Sequence, residues 1–183
     1  RIIAFSINPI FQEHISGGAS KHLMNLAEYL SSLGHDFTII SSQPMDGPQS
    51  FIAPAGYLVK AVLPFHQPFP QPYAISPADL SYIYSCIAKE IKQADRLYIH
   101  DGELLLPHQF SKIPVITSFR DNFYPESILG SFLSQADEII AVSPYSAQVL
   151  KATAGIHLSG FAQRLHQINN GLDTALYRPS NAE

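Results

Sequence analysis

The chain has 183 residues, 46% of them hydrophobic and 14% charged, with a formal net charge of −4. That length and mix give one globular domain with a sizeable core and exclude a disordered tail. The acidic balance, with no run of Lys and Arg, excludes a nucleic-acid reader and gives no sign of a membrane-surface patch.

The apolar runs are far too short to span a bilayer, the longest being of the kind at 139–142. Residues 2–7 pass at once into a polar loop, which does not read as a signal peptide. Cys86 is the single cysteine and falls in a helical pattern, where packing is its expected role. A reducing cytoplasm fits these features. The eight histidines show no zinc-site spacing, so neither a metal nor another cofactor is expected.

In chain order, residues 2–7 (IIAFSI) read as a strand buried on both faces. A polar loop leads to Gly17-Gly18 and then to a helix whose apolar stripe is Leu23, Leu26, Ala27, Leu30 and Leu33, stopped by Gly34. Residues 36–41 form the second strand and 57–63 the third. The stretch 63–77 is crowded with proline and aromatics and reads as a long loop. Ser76, Pro77 and Asp79 then stand as N-cap, N1 and N3 of a helix whose stripe includes Leu80, Ile83, Tyr84, Ile87, Ala88 and Ile91.

A fourth strand covers 97–100 and ends in Asp101-Gly102. A fifth covers 115–119 and ends in Arg120-Asp121-Asn122. Pro125 opens a helix with Ile128, Leu129, Phe132 and Leu133 inward. A sixth strand at 138–142 leads to Ser143 as N-cap and Pro144 as N1 of a helix running to Gly155. Residues 165–168 make a short last strand. Strands alternating with helices predict an α/β, Rossmann-like, doubly wound parallel sheet with helices on both faces. Such sheets bind ligands in the crevice at the carboxyl ends of their strands.

Three groups fall at those ends. Gly17-Gly18 precedes a helix N-terminus, where close backbone approach and free N–H groups suit a phosphate; the plainer reading is a tight turn. The loop lacks both the dinucleotide and the P-loop glycine spacings, which speaks against NAD and against ATP hydrolysis. His100-Asp101 ends a buried strand and reads equally as a site or as a strand end with a capping Asp. Arg120 either pairs with Asp101 or Asp121, or holds an anionic group of a ligand. His14, His22, His35, His108, His157 and His166 read as surface or packing residues.

The order of these segments resembles family 4 retaining glycosyltransferases of the GT-B fold. The resemblance rests on SGGASKHLMNLAEYLSSLGHDFTIISS, HDGELLLP, IPVITSFRDN, ADEIIAVSPYSAQVL and INNGLDTALYRP, which span nearly the whole chain. It implies the N-terminal, acceptor-side domain (residues 1–179, with 180–183 opening an interdomain linker) of an enzyme whose second domain holds a nucleotide sugar. It implies transfer of a hexose-like sugar, with retention and without a metal, to a sugar, lipid or small-molecule acceptor. It places Gly17 and Gly18 against the donor's diphosphate. It places the Arg120 position beside the transferred sugar. Arg120 and Asp101 are the candidate catalytic residues, and His100 and Asp121 are candidates for the acceptor side. The aromatics Phe65, Phe69 and Tyr73 of the long loop read either as a stacking surface for a sugar or lipid acceptor or as packing on the domain itself. Many members carry a His where this chain has Arg120. The alternatives are a non-catalytic sugar- or nucleotide-binding module and, less well matched, a Rossmann-type oxidoreductase or epimerase.

Overall fold

The computed structural model describes residues 1–15, 17–43, 50–63, 77–101, 112–120, 136–171, 174 and 177. The aromatic loop positions Phe65, Phe69 and Tyr73, the helix expected from Pro125, Asp121 and the expected linker 180–183 lie outside them. So do the side chains of Asp79, Leu80 and Cys86.

The strands are β1 (Ile2–Pro9), β2 (Phe37–Ser42), β3 (Ser50–Ile52), β4 (Leu58–Leu63), β5 (Arg96–Ile99), β6 (Val115–Phe119), β7 (Glu138–Ala141) and β8 (Leu165–Gln167). The helices are α1 (Gly17–Ser32), α2 (Pro77–Ile91), α3 (Pro144–Ala152) and two single turns, α4 (Ala154–His157) and α5 (Phe161–Arg164). One eight-stranded sheet runs in the order β3-β4-β2-β1-β5-β6-β7-β8. Every neighbouring pair is parallel except β3 with β4.

The two-residue alternation of each strand decides which helix it meets. Ile3, Phe5, Leu97 and Ile99 pack with Ile83, Ile87 and Ile91 of α2. Ala4, Phe37, Ile39, Val59 and Tyr98 pack with Leu23 and Ala27 of α1 on the opposite face. Farther along, Phe119, Ile139 and Ala141 meet Ala147 and Leu150 of α3. Thr117 pairs with Ile99 on one side and Ile139 on the other, so α3 shares the face of α2. Each fully buried Ile, Leu or Phe contributes about 1.5–3 kcal/mol by leaving water, so these three clusters, rather than helix propensity, hold the layers together.

The start of α3 is as local chemistry requires, whereas Ser76 and the side chain of Pro77, expected to open α2, lie outside the described residues. The Ser143 hydroxyl accepts from Ser146 N at 3.0 Å, with Pro144 opening α3. β1 runs two residues past its expected end, to Pro9, and the bounds of β2, β5, β7 and β8 shift by one residue. Other details also depart from expectation. β3 is an antiparallel edge strand that three residues without periodicity could not announce; it pairs with β4 around a turn at Gly56, whose φ is +91°. The third expected strand starts at Leu58, one residue late. Leu33 lies past the end of α1, where Gly34 at φ +86° ends the helical path, and it is 58% exposed rather than part of the stripe. The last long helix stops at Ala152, and the Thr153 hydroxyl donates back to Val149 O at 2.8 Å.

The strand order reverses between β1 and β5. Their carboxyl ends, at Asn8-Pro9 and His100-Asp101, therefore flank the crevice that such sheets use for ligands.

Candidate functional site

A groove of about 850 Å³ opens beside that crevice. One wall is α1, from Gly18 and His22 at its start to Asn25 and Tyr29 farther along. The other is built by Arg120, which follows β6, with Asn170 and Gly171, which follow β8. Gly17 has φ +85°, a backbone that side chains resist, and it lets the chain turn into α1. Gly18 has ordinary φ, and a Cβ built on it meets nothing within 4 Å. Among the described residues, open space thus faces the first turn of a helix, where backbone N–H groups have no helical acceptors and the dipole favours an anion.

Behind this turn stands a buried polar cluster. His100 is fully buried, and its Nε2 lies 2.9 Å from Ala19 O. A carbonyl only accepts, so Nε2 carries the proton and donates. Nδ1, 3.2 Å from the Tyr98 hydroxyl, is then the acceptor. The His22 ring stacks on His100 with centroids 5.9 Å apart and planes 19° apart. Burial pushes the His100 pKa down to about 3, with the Arg120 charge and His22 in the same direction and the bond to Ala19 opposing them. Burial and then Arg120 also lower His22. Both rings are therefore neutral at pH 7, and the positive charges lining the groove are those of Arg120 and Lys21.

A stability consequence follows. The unfolded chain takes up a proton at His100 near pH 6.5, whereas the folded chain does so only near pH 3. His100 therefore costs no stability above about pH 6.5. As pH falls below that value the folded state loses up to about 1.4 kcal/mol per pH unit for this proton. Urea unfolding at pH 7 and pH 5 is expected to show a smaller acid loss for His100→Gln than for the wild type. Equal losses would mean that His100 titrates normally.

The Arg120 guanidinium donates to Asn170 Oδ1 at 2.7 Å. It also lies near enough to Tyr98 to act on that hydroxyl, whose pKa is raised by burial above all and drawn back by Ser118 and Arg120. A fixed guanidinium facing a helix N-terminus across an open groove is an arrangement suited to a diphosphate or a carboxylate.

The family model described as Glycosyltransferase Family 4 matches residues 16–176. The chain belongs to that family. Among solved structures it is similar to sucrose-phosphate synthase from Thermosynechococcus elongatus, with a TM-score of 0.63 over 94% of this chain and 90% of that one, at 11% identity. At that identity the likeness is one of fold, and it identifies the sheet as the Rossmann-like half of a GT-B architecture. No curated protein matches the sequence. Among the described residues no helix is long and apolar enough to cross a membrane.

Within this family 4 domain the residues singled out from sequence separate into three groups. Gly18 and Arg120 line the groove, and Gly17 sets the turn that leads into Gly18. His100 and Asp101 do not line it. His100, expected on the acceptor side, is buried behind α1 with both nitrogens engaged by the protein. Asp101 is 5% exposed and turned toward β1: one carboxylate oxygen accepts from Ser6 Oγ and from Ile7 N, both at 2.9 Å, and the other from Asn8 Nδ2 at 3.4 Å. These bonds secure β1 where its register with β2 shifts between Ser6 and Pro9. Asp121, Phe65, Phe69 and Tyr73 form the third group, outside the described residues.

Sequence reading passed over three residues that shape the site. His22 reads as surface or packing, yet it follows Gly18 by one helical turn, a spacing that shares a helix face. Asn170 sits in the INNG segment, but only the return of the chain after β8 brings it to Arg120. Tyr98 gave no signal, because an aromatic in a buried strand reads as core. Among the described residues no three His, Cys, Asp or Glu side chains gather as metal ligands.

Proposed function

We propose that this domain is the N-terminal, acceptor-side half of a retaining glycosyltransferase that takes its sugar from a nucleotide-sugar donor. The observation that carries the reading is the open first turn of α1 at Gly17-Gly18 facing Arg120 across the groove. Breaking the bond between the sugar's anomeric carbon and the diphosphate leaves negative charge on the leaving oxygen. A helix N-terminus and a guanidinium are the groups that stabilise such charge without a metal. The acceptor, a sugar, lipid or small molecule, would lie on this domain's side of the cleft. A catalytically inert binding module would keep donor affinity and lack turnover. The resemblance of the five segments supports the nucleotide donor and retention.

Gly18 supplies the test. Its φ is ordinary and its Cβ direction is open, so Gly18→Val adds bulk to the groove without straining the fold. In the enzyme that contains this domain, the substitution is expected to raise donor KM at least ~10-fold, about 1.4 kcal/mol of lost binding, with Tm unchanged. An unchanged donor KM in a folded Gly18→Val enzyme would remove the donor from this wall.

A further inference from the structure

The carboxyl end of β5 is tied to the first turn of α1 by side chains that face away from solvent. Tyr98 is 7% exposed and His100 is 0% exposed. The Tyr98 hydroxyl donates to His100 Nδ1 at 3.2 Å, and His100 Nε2 donates to Ala19 O at 2.9 Å. Ala19 directly follows Gly17-Gly18. The same imidazole stacks on His22 in the next turn, so one ring holds the start of α1 at two points. In the approach to α1, Ile15 is 50% exposed and Gly17 needs a left-handed turn.

We propose that Tyr98 and His100 are positioning residues, a buried strut that sets the Gly17-Gly18 N–H groups at a fixed distance from Arg120. With both ring nitrogens bonded to the protein and no exposed surface, His100 has no capacity left for a ligand. Placement is demanding, because a shift of about 1 Å at a reacting site costs on the order of a hundredfold in rate. The strut rests on the reading that donor phosphates bind at Gly17-Gly18, and the experiment separates the two.

Two amides divide the roles of the ring nitrogens. His100→Gln places its side-chain amide near the position of Nε2 and keeps a donor for Ala19 O. His100→Asn is too short and keeps only the Nδ1 side. In the full-length enzyme, H100N is expected to raise donor KM ~10-fold with kcat within about twofold, and H100Q to stay within about threefold of wild type in both. Hydrogen exchange at Leu23, whose N–H would close the turn onto Ala19 O, is expected to quicken ~10-fold in H100N and not in H100Q. Tyr98→Phe keeps the ring and its packing, and serves if either amide variant fails to fold. It removes the donor to Nδ1 and is expected to raise both readouts about threefold or more. Equal behaviour of H100N and H100Q in exchange and in KM, or a wild-type-like Tyr98→Phe, overturns the strut. Faster exchange in H100N with unchanged donor KM supports the strut and instead overturns the placement of donor phosphates on α1.

Discussion

Arg120→Ala, in the enzyme that contains this domain, is expected to lower kcat/KM by about a hundredfold while Tm stays near the wild-type value. The magnitude is that of one charge-assisted contact made in the transition state, about 2–3 kcal/mol. The guanidinium lies at the mouth of the groove, opposite the first turn of α1, and its observed partner is the neutral Asn170 Oδ1 at 2.7 Å. Asn170 aims the fork without neutralising it. Arg120→Lys keeps the charge but loses the fork and the bond geometry to Asn170, and should recover only part of the loss. The decisive comparison is steady-state kinetics beside thermal melts. Near-normal kcat/KM in a stable Arg120→Ala enzyme would reduce the Arg120–Asn170 contact to a brace between β6 and the segment after β8.

The 183-residue chain expressed alone is expected to transfer no sugar, a loss beyond what any single substitution here should cause. In the proposed reaction the donor lies between two Rossmann-like units. The groove on this one offers a helix N-terminus and a guanidinium. Binding that favours the transition state over the ground state needs the nucleotide and the departing diphosphate held on both sides, and one wall supplies only part of that difference. The check is a product assay with a panel of nucleotide sugars, on protein purified by two independent routes to exclude a contaminating transferase. Reproducible turnover by the chain alone would place the whole reaction within this unit.

Much of the fold was legible from residue order. β6 and the start of α3 match their sequence signals, and β1 matches where it starts but runs on to Pro9, since a buried apolar run and a Ser-Pro helix start are local features that burial reinforces. Family membership was legible for a similar reason: several modest segments occur in one fixed order, and the family model spans residues 16–176. β3 and the exposure of Leu33 were not legible. The first depends on a neighbouring strand to pair with, and the second on where Gly34 ends the helical path.

For the candidate site the division is sharper. Sequence by itself determined which residue types stand at the carboxyl ends of the strands, because the alternation of strand and helix dictates those ends: Gly17-Gly18, His100-Asp101 and Arg120. Only the tertiary structure decided which of them face ligand space. Asp101 is claimed by Ser6, Ile7 and Asn8 across the β1–β5 pairing, and His100 by Tyr98 and Ala19. Arg120 and Gly18 are left at the groove, joined there by His22 and Asn170. A side chain at a strand end is free for a ligand only if no buried donor or acceptor nearby needs it. That need is set by contacts such as Ser6 with Asp101 and Arg120 with Asn170, which distant parts of the chain bring together only on folding.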